Sequence, residues 1–121
     1  MLGWKAFGAG ISLPLAQAIC QDVATSVSAA GTTQGTATEL GATDSEIGTV
    51  GAGAGVVLSA KLAPGDSQTV FNAGANAVKI YPPTGMKINA LAANAPMTLG
   101  TNTGCFFQCV STTRVFAIMS A

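Results

Sequence analysis

Met86-Lys87-Ile88-Asn89-Ala90-Leu91 alternates apolar and polar side chains, the period of two that an extended strand sends to opposite faces of a sheet. It predicts a strand with Met86, Ile88 and Ala90 facing a core and Lys87 and Asn89 facing out. Val78 and Ile80 against Lys79 and Tyr81 repeat the pattern one segment earlier. Between the two lies Tyr81-Pro82-Pro83-Thr84-Gly85, which ends one strand and turns into the next, because a proline pair has no place in a central ladder. On the other side, Asn72-Ala73-Gly74-Ala75-Asn76 holds residues that tolerate positive φ and predicts a hairpin from Phe71 to Ala77.

Outward from this centre, short apolar runs separated by Gly, Pro and Asn recur from about Thr36 to the end of the chain. Candidate strands are Thr36 to Gly41, Val56 to Leu62, Gln68 to Asn72, Ala77 to Tyr81, Met86 to Leu91, Pro96 to Leu99, Cys105 to Val110 and Arg114 to Ser120. Short strands at such spacing predict an all-β sandwich or barrel, and eight of them suit a jelly roll. The expected fold is a jelly-roll-like antiparallel β-sandwich over residues 36–121, preceded by an N-terminal arm over residues 1–35 that contains a short helix. Within the arm, Leu15, Ile19, Val23 and Val27 recur every four residues, a helical stripe with Pro14 near its start and Ser12 as a cap. An arm carrying Trp4 and Phe7 ahead of one amphipathic helix must lie against this body or a neighbour. Ala16-Gln17-Ala18 imitates a signal cleavage site, but Gly8, Gly10 and Pro14 interrupt the apolar stretch before it.

The chain has 121 residues, 49% of them hydrophobic and only 8% charged, against about 25% charged in a typical soluble domain. Gly, Ala and Thr replace the missing charge, and such a surface is suited to being covered. The five basic residues, Lys5, Lys61, Lys79, Lys87 and Arg114, are scattered and balanced by five acidic ones, so no basic stripe is present to neutralise phosphates and nucleic acid is not an expected partner. No window reaches 18 uninterrupted apolar residues, and no membrane span is expected.

The chain has no histidine, which removes Ser-His and Cys-His nucleophiles and His-metal sites together. Asp44-Ser45-Glu46 is the one close carboxylate pair. Extended, it would hold its carboxyls about 7 Å apart, a spacing glycosidases use. Flanked by Gly41 and Gly48, it reads instead as a solvated turn. With Glu39 the pair falls short of the six to eight oxygens calcium takes. Gly51-Ala52-Gly53-Ala54-Gly55 lacks the Lys-Ser or Lys-Thr of a phosphate loop and leads into Val56-Val57-Leu58 as the start of a strand. Cys20, Cys105 and Cys109 are odd in number. The last two, about 13 Å apart on one strand face, are expected as buried free thiols. No catalytic residue, cofactor or metal is expected, and the chain is not expected to be an enzyme.

Two C-terminal strands are apolar on both faces. Phe106 and Val110 oppose Cys105, Phe107 and Cys109, while Phe116 and Ile118 oppose Val115, Ala117 and Met119. A two-layer sandwich covers one face of each sheet, so Phe106, Val110, Phe116 and Ile118 need a further cover, which is either the chain's own N-terminal helix or, as a charge-poor chain favours, a contact between copies.

Thr38-Glu39-Leu40, Gly53 to Leu58, Pro64-Gly65-Asp66, Val70 to Asn76, and Ile80 to Gly85 through Ile88-Asn89 together resemble a module of tailed-bacteriophage virion proteins. The pattern covers about half the chain and is most similar to capsid decoration (cement) proteins. The resemblance implies a β-sandwich on the outer surface of a virion capsid. It also implies the major capsid protein as partner and a homo-oligomer, in particular a trimer. On this reading Trp4, Phe7, Ile11 and Leu13 of the arm make the capsid contact. The alternative is a receptor- or carbohydrate-binding domain of a tail fibre or adhesin, which would need exposed aromatics near polar loops; Trp4 and Tyr81 are its candidates.

Overall fold

The computed structural model describes residues 23–120. They form ten strands and, among the described residues, no helix: β1 Val23–Ser28, β2 Thr38–Glu39, β3 Asp44–Thr49, β4 Gly55–Val57, β5 Ser67–Asn72, β6 Val78–Tyr81, β7 Lys87–Ile88, β8 Met97–Leu99, β9 Thr103–Cys109 and β10 Arg114–Met119. One sheet holds six strands in the order β1-β3-β5-β9-β10-β7, and the other holds four in the order β2-β4-β6-β8. The all-β expectation is met.

The jelly-roll topology is not what the chain adopts. From β1 to β6 the chain alternates between the two sheets, and each strand lies parallel to the one two before it: β1 with β3, β3 with β5, β2 with β4, β4 with β6. A jelly roll is built from antiparallel neighbours, whereas here the chain winds as a two-sheet coil. Between named strands, antiparallel pairing begins only where the winding stops. β8 then runs back along β6, β9 along β5, and β10 along β9. The two-residue β7 adds to β10 in parallel as the far edge.

Four further expectations are corrected by this topology. Val23 and Val27, placed on a helical stripe, belong to β1, whose register with β3 shifts twice and which carries Ser26 at φ 56°. Leu15 and Ile19, with Ser12 and Pro14, lie outside the described residues. The six-stranded sheet thus draws on both sides of position 36. Asp44-Ser45-Glu46 is not a turn but the start of β3, with Ser45 and Ile47 buried between flanking strands. The stretch Asn72 to Asn76 is not a hairpin, since β5 and β6 belong to different sheets and none of its residues has positive φ. Ala90 is exposed rather than inward, because Asn89 turns into the left-handed region at φ 51° and ends β7 after Ile88.

The core lies between the sheets. Ile47, Val70, Phe107, Val115 and Ile88 come from the six-stranded side, and Val56, Val78, Ile80 and Leu99 from the four-stranded side, all of them essentially sealed from solvent. Of the residues expected to face inward, Val78, Ile80, Met86 and Ile88 are part of it. Cys105 and Cys109 are buried free thiols; Cys20 lies outside the described residues.

Tyr81 shares the outer side of β6 with Lys79, yet it is buried. Its hydroxyl donates to the carbonyl of Thr32 at 3.0 Å, and its ring fills the space over Gly55. A Cβ on Gly55 would stand 2.9 Å from that ring and 3.0 Å from the Lys79 carbonyl oxygen. The glycine inside the Gly51–Gly55 run is where an aromatic ring packs against a strand.

Candidate functional surface

The inner rows of the strands are consumed by the core, so a contact made by the described strands falls to their outer rows. The register of the six-stranded sheet lays out its outer face. Asp44, Thr69, Phe106 and Ile118 stand side by side across β3, β5, β9 and β10. One rung further along are Glu46, Phe71 and Gly104. In the opposite direction are Ser67, Gln108 and Phe116, and beyond them Arg114 beside Lys87. Their inward neighbours Ser45, Val70, Cys105, Phe107, Cys109 and Val115 are buried, which confirms that these rows point away from the core.

Large apolar side chains occupy the middle of this face. Phe71, Phe106 and Phe116 are each 39 to 47% exposed, and Ile118 is 69% exposed. Phe71 folds over Gly104, where a Cβ would come within 2.9 Å of the ring, so the glycine lets the ring lie flat against its neighbouring strand. The Arg114 guanidinium sits 5.5 Å from the centre of the Phe116 ring, within cation–π reach. Val110, at the end of β9, is 47% exposed next to this row.

The four expected contact residues Phe106, Val110, Phe116 and Ile118 therefore lie exposed on one side of one sheet. Phe71 joins them, although the sequence reading passed it over. Its signal was its place in Ser67 to Asn72, where Gln68, Val70 and Asn72 alternate with Ser67, Thr69 and Phe71. Trp4, Phe7, Ile11 and Leu13 lie outside the described residues.

The face is stiffened from behind by two buried amides on β5. Gln68 donates through Nε2 to the carbonyls of Leu40 and Ala42, at 2.8 and 3.0 Å, and accepts from the Ser59 amide at 2.9 Å. Asn72 donates through Nδ2 to the carbonyls of Asn76 and Leu99, both at 3.0 Å, and accepts from the Gly74 amide at 2.9 Å. Gln68 thus satisfies backbone groups in the β2–β3 and β4–β5 loops, and Asn72 ties the β5–β6 loop to Leu99 at the end of β8. No buried side-chain nitrogen or oxygen among the described residues lacks a partner.

Among the described residues no constellation for chemistry is assembled. Among the described residues there is no group of three His, Cys, Asp or Glu side chains placed to hold a metal ion. Asp44 and Glu46 are neighbours on the outer row of β3, facing away from the core. Burial pushes the Cys105 thiol up to about 11, which makes it a poor nucleophile. No helix of the described residues is long and apolar enough to cross a membrane. Compared with protein families, curated proteins and solved structures, the chain matches none.

Proposed function

We propose that this protein is a structural virion protein that decorates and stabilises a phage capsid, binding the major capsid protein as a homo-oligomer. We also propose that its two-sheet body is a short β-solenoid, closed at one end by the antiparallel strands β8 to β10. The observation that carries the reading is the apolar outer face of Phe71, Phe106, Phe116 and Ile118 on a chain with ten charged residues in 121. Contiguous exposed apolar surface on a stiff, charge-poor body marks a protein–protein contact. The virion setting rests on the sequence resemblance to decoration proteins, as do the trimeric count and the capsid contact through Trp4, Phe7, Ile11 and Leu13. In this reading the protein is not an enzyme and needs no cofactor. Its work is the free energy of apolar burial, about 25 cal/mol per Å².

The rival reading, a receptor- or carbohydrate-binding domain, draws no support from Tyr81, which is buried with its hydroxyl bonded to Thr32. Whole-protein mass spectrometry of purified virions tests the proposal. A component of this chain's mass, present in many copies per particle and released without loss of the head, is the expected result. Its absence from particles of a phage that encodes it overturns the reading.

A further inference from the structure

The four charged residues carried by the strands of the six-stranded sheet are not scattered. Asp44 and Glu46 stand at one corner, on β3, and Lys87 and Arg114 at the diagonally opposite corner, on β7 and β10. From β3 to β10 is three strand spacings, about 14 Å. From the row of Asp44 to that of Arg114 is four residues, also about 14 Å along the strands. Phe106 and Phe116 lie between. Two acids and two bases are thus balanced on the strands of this sheet, and their placement is complementary to itself; Asp66, just ahead of β5, lies off these rows with its carboxylate accepting from the Ala63 amide.

We infer that this face pairs with the same face of a second copy about a two-fold axis, Asp44 and Glu46 of each copy meeting Lys87 and Arg114 of the other. The corners specify the direction of the axis. Rotation about a line in the plane of the face exchanges acid and base corners only if the line runs diagonally to the strands, through the neighbourhood of Phe106 and Phe116. The two sheets then cross at roughly a right angle, one of the two ways sheets pack. Aligned stacking would leave the opposite charges about 14 Å apart along the strands, beyond the screening length of about 8 Å at physiological salt. One copy laid on the face at the usual sheet separation of about 10 Å covers the three phenylalanines and Ile118 in a single contact. Such an isologous contact closes at two copies, not the three that the resemblance to decoration proteins implies. The inference is argued from the face alone and stands whether or not the protein belongs to a virion.

The experiment uses the full chain in native mass spectrometry and sedimentation at micromolar concentration. The wild type is expected as a dimer. The acid-reversed variant Asp44→Lys/Glu46→Lys and the base-reversed variant Lys87→Glu/Arg114→Glu are each expected to dimerise at least tenfold more weakly, with far-UV circular dichroism unchanged. An equimolar mixture of the two is expected to form heterodimers, because every contact is again between opposite charges. The variant with all four residues reversed is expected to dimerise as the wild type does. A trimer cannot be rescued by the mixture, since an odd ring must contain a like-charged contact. A wild-type trimer therefore overturns the two-fold, as does a mixture or a fourfold variant that does not associate. A wild-type monomer, the result if residues 1–22 of the same chain lie over the face, overturns the inference altogether. Should a double variant lose its native spectrum, the single changes Glu46→Lys and Lys87→Glu carry the same mixing test, and failure of their mixture to associate more tightly than either alone overturns it.

Discussion

Asn72 is a single residue that ties a loop to the end of a strand. Its side chain is 1% exposed and makes three hydrogen bonds to backbone groups of the Gly74–Asn76 corner and of Leu99. Asn72→Ala removes a partner from two carbonyls and one amide, and a group left unsatisfied costs about 1–3 kcal/mol when buried. Partial rehydration at the corner offsets some of this, so the expected loss is about 3 kcal/mol by urea unfolding. A change under 1 kcal/mol would mean that water replaces the amide freely. Cys105 gives a second residue-scale outcome. Its thiol, held neutral by burial, titrates at about 11 rather than its ordinary 9.0. A raised folded value means the thiol's contribution is fully present below about 9 and is lost as the pH climbs to about 11, because the unfolded chain ionises first. Stability is therefore expected to fall across that window in the wild type, and to fall less steeply in Cys105→Ala, whatever that variant loses at neutral pH. Identical slopes would contradict the assignment. At Gly55, the Tyr81 ring occupies the space of a Cβ, and Gly55→Ala is expected to cost about 2 kcal/mol as an overpacking change.

Strand β1 shows what an element contributes that its sequence does not announce. Val23–Ser28 forms the edge of the six-stranded sheet, and directly after it Ala29 is buried, its amide donating to the Thr49 carbonyl at 2.9 Å. Ala30 bridges to Gly55 of the other sheet. Removing residues 1–22 leaves these pairings in place, whereas removing residues 1–30 bares β3 and the buried neighbourhood of Ile47. The longer truncation is expected to melt about 10 °C or more below the shorter one, in keeping with a loss of a few kcal/mol in a domain of this size. Equal melting temperatures would mean β1 adds nothing to the body. The remaining edges explain how parallel winding stops. β7 has two residues and is ended by Asn89, whose side-chain oxygen accepts from the Ala117 amide at 2.9 Å. β1 is broken by register shifts. Short or irregular edges give a neighbouring chain little ladder to extend, which leaves the apolar face as the main route to association.

At the scale of the whole molecule, association is expected to be driven by burial of the aromatic centre and steered by the charged corners. Exposed ion pairs contribute about 0.2–1 kcal/mol each and are screened by salt, while the buried phenylalanines are not. Sedimentation in low salt and in about 1 M salt should therefore show the self-association weakened by no more than about tenfold. Phe106→Ser combined with Ile118→Ser should abolish it at micromolar concentration, since each lost side chain removes about 1.5–3 kcal/mol of burial. Dissociation by salt alone would move the weight of the contact from the aromatic centre to the corners.

Local periodicity determined much by itself. The alternation at Val78 to Ile80 and at Cys105 to Cys109 reports burial on one side of a strand, which is a property of neighbouring residues and survives whatever the strand pairs with. The same local logic found the apolar outer residues Phe106, Phe116 and Ile118. It located eight of the ten strands, and it missed β1 and β3 because their rows are weak: Asp44, Glu46 and Gly48 on one side, and Thr25, Ser26 and Ser28 among the valines. Which strand pairs with which was decided only by the tertiary structure. Partners in successive windings stand 21 residues apart between Val23 and Asp44, 25 between Asp44 and Thr69, 18 between Thr38 and Val56 and 24 between Val56 and Ile80. Connections of such unequal length leave no repeat to read along the chain. Parallel partners are therefore fixed by contacts between residues distant in the chain, among them the packing of two sheets and the bonds of Gln68 to Leu40, Ala42 and Ser59, which exist only once the chain has wound. The diagonal placement of acid and base is of the same kind, since residues 44, 46, 87 and 114 share a face only through the register of five strands.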